Sequence, residues 1–420
     1  MTEDAPHDGP AGPDGAAGGR RAAQDRLVRL RRALHRVPET GLHLPRTQRL
    51  VLEALSGLDL RITTGRRLSS VTAVLQGAHP GPSVLLRADM DALPVSPGRM
   101  HACGHDLHTA MLVGAAHELL RRRDEVHGSV VLMFQPGEEE GAGARLMIEE
   151  GVLTAAGAPP VAAYALHVAS AALPLGAVAS RPGALMASAD TIKVTVHGRG
   201  GHGSLPHGAL DPVPVMCETV LALQSLVTRR FDVFDPVVVT VGTIHAGEVA
   251  NVIPATAAYE ATARTFTPAA RGKLRDEALR TLAGVTEAHG LKADVQWEDG
   301  YPATVNDPAE VAFAASVVRE LLGAGRFVEL PRPLSNSEDF SYVAERVPSA
   351  YLLLGACPAD RDPATAPYNH SPEAAFDESV LADGAELLAE LAVSRLSRPA
   401  TPSGDGPPGP GAHRRGPSEA

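Results

Sequence analysis

The chain has 420 residues, a formal net charge of −11 and a hydrophobic content of 44%. This length allows two domains, or one large domain with an insertion, and an acidic chain without a basic patch argues against a nucleic-acid partner. No run approaches the ~20 apolar residues that span a bilayer, and the first twenty residues lack the apolar segment of a secretory signal, so the sequence predicts no membrane partner and a cytoplasmic location.

The first part of the chain alternates short β runs with amphipathic segments. Residues 1–22 and 398–420 are predicted to be disordered, because they contain too little apolar surface to offset the entropy of ordering. Alternating strands and helices predict an α/β fold whose mostly parallel sheet is covered by helices on both faces. The predicted elements are helices at 21–39 and 47–58, strands at 71–77 and 82–91, a helix at 106–123, a strand at 128–136, a helix at 143–151 and a strand at 161–168.

The pattern changes near residue 185. Strands that alternate polar and apolar residues now dominate and are interrupted by two helices, which predicts an α+β unit with an antiparallel sheet. After Tyr301 the alternation of helices and short apolar strands resumes. Helices are predicted at 308–323 and 378–396 and a strand at 350–355. We therefore predict a catalytic domain in two parts, 23–184 and 301–397, with a second domain, 185–300, inserted between them.

The stretch MHACGHDLHTA, residues 100–110, concentrates metal-binding side chains in a chain that has only three cysteines. Cys103 and His105 are separated by one residue, so in an extended segment they point the same way. A thiolate with an imidazole suits zinc or a similar transition metal. The alternative is that Cys103 is a small buried hydrophobe and His105 caps the next helix, for which Asp106 is also a candidate N-cap.

Carboxylates follow two predicted strands, at the strand ends where ligands gather in open α/β sheets. Of the adjacent Glu138 and Glu139, one can bind a metal while the other takes a proton from an attacking water. The alternative is that Glu138, Glu139 and Glu140 bind no metal and only stabilise the dipole of the next helix, because they precede its N-terminus. Asp89 and Asp91 are candidates for ligands, for acceptors that orient a ligand ring, or for a solvated loop.

Two isolated histidines complete the set of candidates. His167 ends the apolar run VAAYALHV, and His370 lies in APYNHSPEAAFDES, before the last helix. A buried histidine at a strand end is structural about as often as it is a ligand. Neither residue is therefore a strong candidate by itself.

In combination, seven ordered motifs resemble the bacterial and plant amidohydrolases related to hippurate hydrolase, auxin-conjugate hydrolase and aminoacylase, which belong to the co-catalytic metallopeptidases. The resemblance covers roughly residues 25–395. The motifs are R-A-D-M-D-A-L-P, M-H-A-C-G-H-D-x-H, F-Q-P-x-E-E, G-G-H-x-S-x-P-H, N-V-I-P, S-E-D-F and N-H-S-P.

The resemblance implies a pair of divalent metal ions, Mn²⁺ or Zn²⁺, with Cys103 as the bridging ligand and Glu138 as the general base. The ligands that it implies are Cys103, His105, Glu139, His167 and His370. It also implies that Asp106, Asp89 and Asp91 are supporting acids.

The resemblance implies that the inserted domain is a lid and a surface for a homodimer. His202 would donate to the developing oxyanion, and Asn251 and Arg264 would hold the carbonyl and the carboxylate of the substrate.

Two features depart from the pattern of the family. Only Ser96–Arg99 separate DALPV from MHACGHD, where relatives usually carry a longer segment. Position 140 is Glu where relatives often have Gly.

The reaction that this set of residues implies is hydrolysis of the amide bond of a small-molecule N-acyl amino acid by a metal-activated water. One alternative is a dipeptidase or carboxypeptidase with the same residues. A second is a non-catalytic metal-dependent protein that binds amino-acid conjugates, which we disfavour because Glu138 and all five implied ligands are present.

Overall fold

The computed structural model describes residues 13–398 of the chain. Two sheets of very different type organise it, one of eight strands and one of four. The strands are β1 (Arg61–Thr64), β2 (Val71–Gln76), β3 (His79–Asp89), β4 (Leu93–Val95), β5 (Gly98–Met100), β6 (His127–Gln135), β7 (Ala162–Ala169), β8 (Val178–Ser180), β9 (Gly183–Met186), β10 (Asp190–His197), β11 (Gly201–His202), β12 (Val238–Ala246), β13 (Val252–Ile253), β14 (Thr256–Arg264), β15 (Lys292–Glu298), β16 (Thr304–Asn306), β17 (Phe327–Glu329) and β18 (Ser349–Gly355).

Nine α-helices lie within the described residues. None of them combines the length and the hydropathy that a bilayer crossing requires. They are α1 (Pro13–His35), α2 (Pro45–Leu55), α3 (His105–Arg121), α4 (Gly143–Glu149), α5 (Pro212–Arg230), α6 (Pro268–Ala288), α7 (Pro308–Leu321), α8 (Ser341–Ala344) and α9 (Val380–Leu396).

The eight-stranded sheet has the order β1-β2-β6-β3-β7-β18-β8-β17. Its central strands β6, β3, β7 and β18 are parallel, whereas β1, β2 and β8 pair antiparallel with their inner neighbours. Alternate residues of a strand face opposite sides of a sheet. On β3, Leu86 packs with α3 and α9 on one side and Leu85 packs with α4 and α8 on the other. Because both faces are covered, the central strands are continuous apolar runs, and the predicted α/β class is confirmed.

The four-stranded sheet is antiparallel throughout, in the order β12-β14-β10-β15. Helices α5 and α6 cover one face and bury a separate apolar cluster that includes Ile192, Tyr259, Leu223 and Leu274. We call the segment from β10 to β15 the inserted unit. Its elements run from Asp190 to Glu298, within the range 185–300 predicted from the change of pattern.

The first helix differs from the prediction. Residues 1–22 were expected to be disordered, but α1 begins at Pro13. Arg20 holds the added turns against α9 through ion pairs with Asp383 at 2.5 Å and Glu386 at 2.8 Å. These partners lie more than 360 positions away, so no local pattern indicates them. The predicted disorder of residues 1–12 and 399–420 lies outside the described residues.

Candidate metal centre

The predicted ligands meet at one edge of the eight-stranded sheet. Glu139 follows the end of β6, His167 lies near the end of β7, and Cys103 and His105 lie at the start of α3. Parallel strands end at the same edge, so these segments converge there. His370 reaches the same place from the segment before α9, where its backbone N–H donates to the carbonyl of Ala102 at 2.9 Å.

The five side chains form a ring, which we call the metal ring (Cys103, His105, Glu139, His167 and His370). His167 Nε2 lies 3.4 Å from Cys103 Sγ, which lies 3.2 Å from His370 Nε2. His370 Nε2 is 3.2 Å from Glu139 Oε1, which is 3.8 Å from His105 Nε2. Two ligands of one tetrahedral zinc lie ~3.4 Å apart, given bonds of ~2.0–2.3 Å. The spacings therefore fit side chains that share cations.

Unpartnered polar atoms give a second, independent sign of a metal. Both ring nitrogens of His105 and Oε1 of Glu139 are buried and have no hydrogen-bond partner among the described residues. Buried polar atoms are nearly always satisfied, so each such exception needs a partner. Thiolate, imidazole and carboxylate are ligands of divalent transition metals, and the residues present fit two such ions.

Backbone geometry at two positions supports the ring. Gly104 has a φ of 80°, and a Cβ at this position would lie 2.3 Å from Cγ2 of Val168. Only glycine allows α3 to begin this close to β7. His370 also has a positive φ, 75°, a conformation that costs a non-glycine residue of the order of 1–3 kcal/mol and is typical of functional sites.

The tautomer of His167 is set by a backbone group. Its Nδ1 donates to the carbonyl of Val168 at 2.9 Å, so Nε2 carries the lone pair and faces Cys103. Burial lowers the pKa of His167 well below its usual value, and the neighbouring His108 adds to the effect. The side chain is therefore held neutral, which is the form that binds a metal.

Asp91 and Asp89 lie directly behind the ring. The two oxygens of Asp91 accept the backbone N–H groups of Glu138 and Glu139, each at 3.1 Å. Oδ2 of Asp89 lies 3.4 Å from His105 Nε2 and accepts from Arg87 at 2.8 Å. Burial alone would raise the pKa of Asp89, but Arg87 and His105 hold it well below its usual value. Both aspartates thus occupy positions that suit orienting acids.

Asp106 has a different surrounding. Its Oδ2 accepts from Arg31 Nε at 2.9 Å and from His35 Nδ1 at 2.8 Å, so it ties α1 to α3, and within residues 13–398 these two residues are its ion-pair partners. The prediction that Asp106 caps α3 is wrong, because Gly104 occupies the N-cap position and α3 begins at His105. His105 is likewise a helical residue and not a cap.

His108 was missed as a site residue, although the spacing H-D-x-H displays it. Its Nδ1 donates to Asp89 Oδ1 at 2.6 Å, and its Nε2 accepts the backbone N–H of Val168 at 2.8 Å. An imidazole that donates at one nitrogen and accepts at the other is neutral and has one tautomer. Because both nitrogens are used, His108 connects Asp89 to β7 and leaves no lone pair for a metal.

A buried ionic cluster was also missed. Arg87 donates to Gln135 at 2.9 Å, to Glu338 at 2.8 Å and to Asp339 at 3.0 Å, in addition to Asp89. Arg87 is 2% exposed. The motif R-A-D-M-D-A-L-P contains Arg87 and the motif S-E-D-F contains Glu338 and Asp339, but neither motif indicates that these residues pair.

Glu138 is buried beside the metal ring and this cluster. Ligand oxygens of Glu138, Glu338 and Asp339 lie within 4.8 Å of one another. Burial raises the pKa of Glu138 well above its usual value, and the charges of Glu338 and Glu139 raise it further. A carboxylate in such surroundings holds a proton more readily than a solvated one.

The residues predicted on the inserted unit have surroundings of their own. His202 and Asn251 are exposed, and Nδ1 of His202 accepts from Ser204 at 2.8 Å. Arg264 is half-buried, with an Nη1 that has no partner among the described residues. None of the three lines the cavity beside the metal ring, and neither does the short turn between β4 and β5.

Comparisons with known proteins identify the family of the chain. Residues 85–394 match the model of Peptidase family M20/M25/M40. Thermostable carboxypeptidase 1 of Saccharolobus solfataricus is 36% identical over 388 residues, 89% of this chain and 96% of that protein. IAA-amino acid hydrolase ILR1-like 5 of Arabidopsis thaliana is 37% identical over 387 residues, 89% of this chain and 87% of that protein.

Among solved structures, the chain is similar to the YXEP protein of Bacillus subtilis, a dinuclear metal binding peptidase from the M20 family. The TM-score is 0.76 at 30% identity, over 90% of this chain and 99% of that chain. The resemblance seen in the sequence motifs is thus confirmed. The chain belongs to Peptidase family M20/M25/M40 and is a metal-dependent hydrolase of amide bonds.

Proposed function

We propose that the chain hydrolyses the amide bond of N-acyl amino acids, with two divalent ions bound by the metal ring and Glu138 as the general base. The observation that carries the proposal is the position of Glu138. A carboxylate oxygen of Glu138 lies within 4.8 Å of ligand atoms of His105 and Glu139, yet Glu138 is not needed to close the ring. It is therefore free to exchange a proton.

Two divalent ions at this site would lower the pKa of a water molecule and polarise the amide carbonyl. The carboxylate of Glu138 would accept the proton of the attacking water and deliver it to the departing nitrogen. Asp91 holds the Glu138 backbone N–H, so the base is positioned before the substrate arrives. The thiolate and imidazoles favour zinc, and manganese is the alternative that the family resemblance implies.

We also propose that the inserted unit is a lid. His202 would donate to the developing oxyanion, and Asn251 would hold the substrate carbonyl. Arg264 would hold the carboxylate, since a guanidinium binds both carboxylate oxygens and its Nη1 has no partner among the described residues. Because none of the three lines the cavity, the lid has to close over the ring to bring them there.

A homodimer through the inserted unit is a further part of the proposal. Strand β12 is at the edge of its sheet, and its Val238 and Ile244 are 48% and 52% exposed. An exposed apolar edge strand is a template for pairing, and a second copy can pair with it across a two-fold axis. Sedimentation velocity of the purified protein is expected to show a dimer, and Ile244→Lys to shift it to the monomer. A wild-type monomer at micromolar concentration would rule this arrangement out.

A comparison of substrates tests the proposed function. Protein loaded with zinc or with manganese is assayed on acetyl, benzoyl and indoleacetyl amino acids and on unblocked dipeptides of the same amino acids. We expect kcat/KM for the best acyl amino acid to exceed that for the dipeptides by roughly tenfold or more. The opposite preference would favour a dipeptidase or carboxypeptidase, the candidate that the carboxypeptidase from Saccharolobus solfataricus supports.

A further inference from the structure

Two short connections, residues 187–189 and 299–303, join the inserted unit to the rest of the chain. Both leave the small sheet formed by β9 and β16, and they run side by side. The backbone N–H of Ala189 donates to the carbonyl of Tyr301 at 2.9 Å. A Cβ at Gly300 would lie only 1.8 Å from the carbonyl oxygen of Ala189, so this close approach requires glycine. A rotation of the inserted unit has to be absorbed at these few residues, as at a hinge.

Side chains of the inserted unit hold the second connection. Arg271 of α6 donates to the carbonyl of Gly300 at 3.1 Å. It also donates to both oxygens of Asp190, the first residue of β10, at 3.0 Å and 2.6 Å. Oδ1 of Asp190 in turn accepts the backbone N–H of Gly300 at 3.1 Å. The backbone that leads into Tyr301 is therefore fixed to the inserted unit by an ion pair and two hydrogen bonds.

The side chain of Tyr301 reaches the loop that carries Glu138, 163 positions earlier in the chain. Its hydroxyl donates to the carbonyl of Glu138 at 2.6 Å and accepts the backbone N–H of Ala142 at 3.4 Å. Ala142 has a φ of 51°, a conformation that is costly for a residue other than glycine and needs support from its surroundings. Tyr301 thus connects the hinge to a strained loop at the metal ring.

Tyr301 and Asp91 hold the same peptide unit, the one between Glu138 and Glu139. The hydroxyl of Tyr301 donates to its carbonyl, and Oδ2 of Asp91 accepts its N–H at 3.1 Å. Oδ1 of Asp91 accepts the N–H of the preceding peptide unit, also at 3.1 Å. Because peptide units are planar, bonds to the units on both sides of a Cα restrict its φ and ψ. They thereby restrict the direction in which the side chain of Glu138 leaves the backbone.

We propose that Tyr301 is a positioning residue that couples the placement of the inserted unit to the orientation of Glu138. When the inserted unit turns about its two connections, Tyr301 moves with Gly300 and shifts the peptide unit after Glu138. The base then has its working orientation in one placement of the inserted unit only. Tyr301 does not line the cavity beside the metal ring, so it acts through Glu138 and not on the substrate. This inference rests on the proposed role of Glu138 as the base.

Tyr301→Phe tests the coupling, because it removes the hydroxyl and keeps the ring. We expect kcat to fall by roughly tenfold, since one hydrogen bond that positions the base is lost. We expect KM to stay within about twofold, since no contact with the substrate is removed. Steady-state kinetics on the best substrate of the comparison above give both constants, and metal content after dialysis is expected to remain at two ions.

Tyr342→Phe is the matched control. The hydroxyl of Tyr342 donates to the carbonyl of Gly300 at 3.2 Å, and its ring makes an edge contact with that of Tyr301. The control therefore removes a tyrosine hydroxyl from the same connection without touching the loop of Glu138. We expect its kcat to stay within about twofold of wild type.

A double-mutant cycle with Arg271→Lys tests whether the inserted unit acts through Tyr301. Lysine keeps a cation beside the buried Asp190 but lacks the planar fork that also reaches Gly300. We expect Arg271→Lys to lower kcat about threefold in the wild-type background and to have little further effect in combination with Tyr301→Phe, because the link is already cut. Equal factors in the two backgrounds, including no effect in either, would overturn the coupling.

The remaining outcomes separate this inference from the proposed function. A near-normal kcat for Tyr301→Phe, or an equal fall for Tyr342→Phe, would overturn the role of Tyr301 and leave Glu138 as the base. Loss of a metal ion from Tyr301→Phe would also overturn it, because the hydroxyl would then hold the ligand Glu139 and not the base. Normal turnover of Glu138→Gln would instead remove the proposed base itself.

Discussion

Glu138→Gln is expected to lower kcat/KM for N-acyl amino acids by about 10²–10⁴-fold without loss of metal. Glutamine has nearly the same size as glutamate but cannot accept and return a proton. The Asp91 contact at 3.1 Å involves the backbone N–H of residue 138, so it survives the substitution. Steady-state kinetics give the change in rate, and metal content after dialysis gives the number of bound ions.

Glu140→Gln is the matched control for this experiment. Glu140 is two positions along the same segment and is exposed, so the control removes the same charge from nearby without touching the ring. We expect its kcat/KM to stay within about threefold of wild type, because an exposed charge is screened by solvent. Near-normal turnover of Glu138→Gln would remove Glu138 from the role of base.

Arg87→Met is expected to destabilise the metal-free protein by about 3–5 kcal/mol. The substitution leaves Asp89, Glu338 and Asp339 buried and without the cation that now bonds to all three. Removing one partner of a buried ionic cluster is costly because the remaining charges stay desolvated. Urea unfolding followed by circular dichroism measures the loss in the free energy of unfolding.

Arg230→Met is the control for the loss of an arginine. Arg230 pairs with Glu277 at 2.8 Å, but its side chain is 53% exposed, and exposed pairs contribute about 1 kcal/mol or less. If Arg87→Met costs no more than this control, then the cluster does not stabilise the fold as its burial implies.

The fold class and the candidate ligands could be predicted from the sequence. The central strands are continuous apolar runs in the sequence because both of their faces are buried. The strands of the inserted unit alternate polar and apolar residues because helices cover only one face of their sheet. Cys103 and His105 are recognisable because their spacing is local. His167 and His370 were weak candidates alone and became predictions only through the ordered motifs.

The sequence by itself thus determined the type of fold, the five candidate metal ligands and the class of reaction. Only the tertiary structure decided which of them touch. Glu338 meets Arg87 across 251 positions, and His108 is excluded as a ligand by a backbone N–H from β7. It also showed that His202 and Asn251 are exposed and do not line the cavity beside the ring. The physical reason is that such contacts depend on strand order and on the placement of the inserted unit, which local spacing does not encode.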